Sequence, residues 1–178
     1  MEDIRLAASL FFEKNPGSKN AARAEFSTLR EAKPGRVAKK AFGEHLQRCH
    51  PGCSTLNLAS ELDADRDGYL TFEDFLVCCY LFQTRPVCRQ CKAIAKLVFY
   101  TCLQCFVEGK SKGPTYDLCP KCYRDRNKSS HPHNLFVDNY ALANIIRIPP
   151  KDLPIEAKIG SSVAIGLTMD KLLSGSGN

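Results

Sequence analysis

The sequence predicts three parts in order: a mainly α N-terminal half made of two helix–loop–helix units, the first degenerate; a small zinc-stabilised α+β finger; and a partly ordered C-terminal tail. Three observations lead there. An Asp-rich loop at residues 63–74 lies between apolar segments of helical length. Three Cys-x2-Cys pairs and a His-x-His pair crowd into residues 88–133. Pro149, Pro150 and Pro154 then break the chain that follows. With 178 residues, 44% hydrophobic and 25% charged, the chain has the make-up of a soluble globular protein with room for one ordinary domain or two small ones.

The first helix is expected over residues 2–14, ended by Asn15-Pro16-Gly17, with Ile4, Ala8 and Phe11 on one stripe. Residues 63–74 place carboxylates at loop positions 1, 3 and 5 (Asp63, Asp65, Asp67), the turn glycine at position 6 (Gly68) and an aliphatic at position 8 (Leu70), the pattern of an EF-hand calcium loop. The Tyr69 carbonyl, Thr71 and Asp74 would complete the ligand set. Leu56 to Leu62 reads as the entering helix, and Phe72 to Phe82 as the exiting one. At position 12, Asp74 replaces the usual bidentate Glu. Its carboxylate is one methylene shorter, which lowers the coordination number and suits magnesium as well as calcium.

EF-hands pair through position 8, and a partner is readable upstream. Gly35 and Val37 fit positions 6 and 8 of a loop from Arg30 to Ala41, with helices expected at about residues 20–29 and 38–49. A cation heads that loop and a methyl group ends it, so it holds no calcium and serves to complete the core. The N-terminal half, residues 1–83, is thus an EF-hand pair, with a degenerate hand at 19–49 and a cation-competent one at 54–83. Cys49, His50 and Cys53 read as a loop between the hands with partly buried thiols, and Cys78 and Cys79 as core residues. The short link from Gln83 to Val87, stiffened by Pro86, predicts that the hands and the finger dock.

The finger, residues 84–140, carries Cys88/Cys91, Cys102/Cys105, Cys119/Cys122 and His131/His133, eight ligands for two tetrahedral zinc ions. Two intervening residues let a tight turn bring both thiolates of a pair onto one ion. Spacing alone leaves open whether neighbouring pairs combine or the first combines with the third. Phe99-Tyr-Thr-Cys102-Leu-Gln-Cys105 and Tyr116-Asp-Leu-Cys119-Pro-Lys-Cys122, with the flanking Cys88/Cys91 and the His-x-His pair, resemble the ZZ-type zinc finger. That resemblance implies cross-bracing: one zinc on Cys88, Cys91, Cys119 and Cys122, the second on Cys102, Cys105, His131 and His133. It also implies recognition of a protein or peptide partner by acidic side chains near the Tyr-Asp-Leu-Cys motif, of which Asp117 is present and Thr115 is a departure. The thirteen residues between Cys105 and Cys119 exceed the family's short connection, and Phe106 to Pro114 read as a solvated inserted loop. The order of modules is similar to the EF-hand plus ZZ arrangement of the dystrophin and dystrobrevin family over roughly residues 20–138.

Charge is uneven. Residues 84–140 hold 10 Lys+Arg against 4 Asp+Glu, so the net +6 of the chain sits on the finger. This is a modest patch that a solvated surface explains as well as nucleic acid does. The tail, 141–178, carries weak helical patterning from Ile155 to Leu173, after a strand expected at Leu135 to Val137. No leader and no 18-residue apolar span is readable, and zinc-type cysteines suit a reducing compartment, so an intracellular place, cytoplasmic and/or nuclear, is expected. The expected function is a non-enzymatic, metal-binding interaction or adaptor protein, with two zinc ions and one calcium or magnesium ion. A RING-like ubiquitin-ligase module and nucleic-acid binding through the basic finger are the alternatives. Apart from the finger, nothing catalytic is visible: the two histidines outside it, His45 and His50, read as near-surface helix and turn residues.

Overall fold

The computed structural model describes residues 1–29, 31–112, 115–126 and 130–147. Arg30, the expected head of the first loop, Gly113 and Pro114 of the expected insertion, and the expected helical pattern at 155–173 lie outside the described residues. In chain order the elements are α1 (Glu2–Lys14), α2 (Pro16–Ser27), β1 (Glu31–Lys33), β2 (Arg36–Ala38), α3 (Lys39–Cys49), α4 (Leu56–Leu62), β3 (Tyr69–Thr71), α5 (Phe72–Thr84), β4 (Tyr100–Cys102), α6 (Leu103–Lys112), β5 (Asp117–Leu118), α7 (Pro120–Arg124), β6 (Phe136–Asp138) and α8 (Asn139–Arg147). The fold is mixed α and β, with helix the larger part and the strands short. The described residues fall into two compact units: those of 1–99 with 117–126, and those of 100–116 with 130–147.

The first unit is organised by a three-stranded antiparallel sheet, β1-β2-β3. Val37 pairs with Leu70, flanked by Arg36 with Thr71 and Ala38 with Tyr69. Both aliphatic side chains at the centre are fully buried, which is why the register is specified: a slip of one residue would turn Val37 or Leu70 to solvent. Each loop needs a left-handed residue just before its strand, and glycine supplies it, Gly35 at φ +68° and Gly68 at φ +83°. The helices close a core around Phe12, Phe42, Leu62, Leu70, Phe75 and Leu81. Phe75 stands at its centre, with ring centroids 5.4 Å from Phe26 and 5.8 Å from Phe42.

α1 packs on α5 through Ile4, Ala8 and Phe12. The expected stripe placed Phe11 there instead. A 3.6-residue period lets either ring follow Ala8, and the approach of α5 selects Phe12 for the interior, leaving Phe11 at the margin with its ring 5.6 Å from Tyr80. The N-terminus of α5 is closed by a capping box in which Thr71 and Asp74 each satisfy the other's backbone N–H. The segment after α5 stays on the same core: Val87 bridges Ile94, and both pack against the helical cluster. Ser54 N–H donates to the Lys92 carbonyl at 2.7 Å, and Lys96 pairs with Glu61.

In the second unit β4 and β6 pair antiparallel, Thr101 opposite Val137. Leu103, Val137 and Leu142 form its small core, with Phe106, Leu135 and Ala141 against it. The inserted stretch expected to be a solvated loop is helical from Leu103 to Lys112. Leu103 and Phe106, three residues apart on one helical face, reach that core together, and burial of this pair holds the turn in helix. The expected strand at 135–137 is present as β6.

Candidate metal centres

In the first unit Cys88, Cys91, Cys119 and Cys122 bring their sulfurs within 4.8 Å of one another. The turn after Cys88 is shaped by Lys92, whose φ of +63° closes it and whose N–H donates to the Cys88 carbonyl at 2.9 Å. Arg89 N–H donates to the Asp117 carbonyl at 2.8 Å and fastens this turn to the segment that carries the other pair. There Cys119 caps α7 and Pro120 occupies its first turn, a position where proline's fixed φ favours helix, so Cys122 returns toward Cys119 on the first turn. The Cys91 and Cys119 sulfurs lie 3.7 Å apart. A tetrahedral zinc with bonds of about 2.3 Å holds its sulfurs about 3.8 Å apart, so the cluster has the size of a four-thiolate zinc site.

The thiols are distinguished electrostatically. Burial pushes the Cys88 thiol up, but backbone N–H groups at Cys119, Cys91 and Gln90 outweigh it and bring the value down to about 7. Burial, followed by the crowded sulfurs of its three neighbours, raises Cys122 well above the usual thiol range. Four thiolates cannot share this space without a compensating charge, which a divalent ion would supply.

In the second unit Cys102, Cys105, His131 and His133 converge equally closely. Cys102 Sγ lies 3.6 Å from His133 Nδ1, and Cys105 Sγ 3.6 Å from His131 Nε2 and 3.4 Å from His133 Nδ1. Zn–S and Zn–N bonds at a tetrahedral angle place sulfur and nitrogen about 3.6 Å apart. The His131 ring is stacked on Tyr116, centroids 3.8 Å apart at 13°, and stands edge-on to Phe136 at 5.8 Å. Burial and then the neighbouring His133 lower its pKa, favouring the neutral ring that ligates a metal. Spacing left the combination of pairs open. The structure joins the first pair with the third and the second with the histidines, so both groups can hold zinc.

The Asp-rich loop is different. Asp63, Asp65 and Asp67 come within 4.8 Å of one another, while Asp74 lies outside that group. Its Oδ1 accepts from Arg5 Nη1 at 2.6 Å, and its Oδ2 from the Thr71 N–H at 2.9 Å and hydroxyl at 2.8 Å. The Thr71 hydroxyl is committed to the same capping box, and Tyr69 pairs with Ala38 in the sheet. The loop carboxylates are also met by cations: Lys39 Nζ reaches Asp63 Oδ2 at 2.7 Å, and Arg36 pairs with Asp67 and lies 3.9 Å from Asp65. The Lys39 hydrogen bond holds the Asp63 carboxyl below the usual carboxylate range, against the effect of burial. Asp63 Oδ1 is buried and accepts no hydrogen bond.

Asp117 is buried, at 6% exposure, so its side chain is not presented at the surface. Arg5, Arg36 and Lys39 carry no local signal of their roles, because their partners lie 69, 31 and 24 residues away. His45, expected near the surface, is instead turned inward by α3, with its ring 6.3 Å from Phe75 and the residue 9% exposed. The four-residue step from His45 to Cys49 on one helix was the available signal. No helix among the described residues is long and apolar enough to cross a membrane. Comparison with protein-family models, with curated proteins and with solved structures gives no match.

Proposed function

We propose that the chain is a non-enzymatic interaction module: an EF-hand pair joined to a cross-braced, ZZ-type finger that holds a protein or peptide partner. The observation that carries this reading is the closure of both zinc groups, each with four protein ligands and no position left for a substrate. Closed sites give rigidity to loops that would not fold alone, which suits binding rather than turnover. Since Asp117 is buried, partner recognition in this reading falls to the exposed surface of the finger.

The hand at 63–74 belongs to this reading as a weak calcium or magnesium site. The convergence of three carboxylates and the unsatisfied Asp63 Oδ1 support it. Lys39, Arg36 and Arg5 compete for the same oxygens, so the ion must displace the protein's own cations. Calcium affinity is therefore expected at about 10⁻⁵ M or poorer.

A peptide array probed with the zinc-loaded chain and with Cys102→Ser tests the interaction role. The expected result is a discrete set of bound peptides, lost in the variant. Zinc-dependent ubiquitin transfer with a panel of conjugating enzymes, in the absence of peptide binding, would replace this reading with a ligase.

A further inference from the structure

Outside the two closed groups, Glu25 on α2 and His45 and Cys49 on α3 bring their ligand atoms within 4.8 Å of one another. His45 Nε2 lies 2.9 Å from Glu25 Oε1 and 3.5 Å from Cys49 Sγ, and Cys49 Sγ lies 3.9 Å from Glu25 Oε1. The four-residue step stacks Cys49 above His45 on one face of α3, and the Phe75 ring beneath holds the imidazole against the core. The other two ligands stand at the rim, where an ion arriving from solvent reaches them.

The shared nitrogen decides between chemistries. A thiol–imidazole–carboxylate relay puts the carboxylate on one ring nitrogen and the thiol on the other, so that one orients the base while the other gives up its proton. Here both face Nε2, which carries either one proton or one lone pair and cannot serve two partners in such a relay. Three donors directed at one point instead describe a cation site. Zinc bonds of about 2.0–2.3 Å at tetrahedral angles separate such ligand atoms by about 3.3–3.6 Å. The 3.5 Å from His45 to Cys49 lies in that range, and the 2.9 and 3.9 Å to Glu25 Oε1 fall either side of it, which a small turn of the exposed Glu25 carboxylate evens out.

We propose that Glu25, His45 and Cys49 form a third zinc site, open at its fourth position. Thiolate, carboxylate and neutral imidazole balance the charge of the ion, which keeps the cost of a half-buried site low. The open position faces a cavity of about 170 Å³ that His50, Cys79 and Phe82 also line, room for a water or a small anionic ligand. With three protein ligands rather than four, this ion is held less tightly than the other two. Cys79 lines the same cavity, but its sulfur is not among the ligand atoms that come within 4.8 Å of one another, which leaves the fourth position open.

The site goes beyond the interaction role and is tested separately from it. The full-length chain is titrated with zinc, counted by native mass spectrometry, and Cys49 alkylation by iodoacetamide is followed by peptide mapping. Three ions per chain are expected at saturation. The third should be stripped by a weak chelator, absent from Cys49→Ser and Glu25→Gln, and able to slow Cys49 alkylation at least tenfold when bound. Cys49 and Glu25 are exposed, so neither substitution disturbs the core. A wild-type total of two overturns this site and leaves the two closed groups standing. A total of three that survives both substitutions, with Cys49 alkylated at an unchanged rate, overturns it as well.

Discussion

Replacing Arg5 by Met separates the two roles open to Asp74. The Arg5 guanidinium reaches from α1 to Asp74 Oδ1 and to the Leu62 carbonyl, both at 2.6 Å, with the Asp74 side chain only 11% exposed. Hydrogen bonds to charged groups are worth about 1.5–3 kcal/mol each, and the two made by Arg5 partly overlap in effect. Met retains the apolar stem, so the loss is confined to the charged contacts. Without divalent ions, Arg5→Met should therefore lower stability by about 1.5–3 kcal/mol in urea unfolding followed by circular dichroism. Calcium binding should move the opposite way, because the ion no longer has to evict a cation from Asp74. At 1.4 kcal/mol per factor of ten, calorimetry should show affinity tightened roughly 10- to 100-fold. The double variant Arg5→Met/Asp74→Asn should lose that gain, and the two single changes should couple by about 1 kcal/mol or more. Unchanged calcium affinity in Arg5→Met, together with unchanged stability, would show that the Arg5 contact does not control the loop.

Three further outcomes are expected. Cys88→Ser and Cys122→Ser should each remove the same zinc ion by elemental analysis, and Cys102→Ser the other, with Tyr116→Ala weakening the ion of the mixed cysteine–histidine group about tenfold by loosening the His131 ring. Because the folded chain holds the His131 pKa below its ordinary 6.5, the unfolded chain takes up a proton first as pH falls, so zinc retention and stability should both decline on acidification below pH 6.5 and be complete above it, as read by zinc release to a chromogenic chelator. Phe75→Ala should cost about 3–5 kcal/mol in the same urea assay, since its ring is 2% exposed and packs on Phe26 and Phe42; a cost under about 1 kcal/mol would place the core elsewhere.

Local patterns were enough for much of this protein. A glycine two residues before an aliphatic, found at Gly35/Val37 and again at Gly68/Leu70, was sufficient to expect Val37 opposite Leu70, because turn chemistry and strand burial are both set within a few residues. The Cys-x2-Cys spacing marked each half of a zinc site for the same reason, since one turn brings the two sulfurs of a pair to one ion. Which halves combine was decided only when the chain returned at Cys119 and again at His131. The inserted stretch after Cys105 looked solvated until Leu103 and Phe106 found Val137 and Leu142, a contact across more than thirty residues. The fate of the loop carboxylates was equally hidden. Four Asp residues in one loop read as a cage for an ion, yet the packing of α1 on α5 carries Arg5 to Asp74, and β2 and the start of α3 carry Arg36 and Lys39 to the others. Side-chain type and short spacing follow from sequence, but the partner of a charged group follows from how helices and strands cross, and burying one apolar face decides that for every polar residue the same element carries.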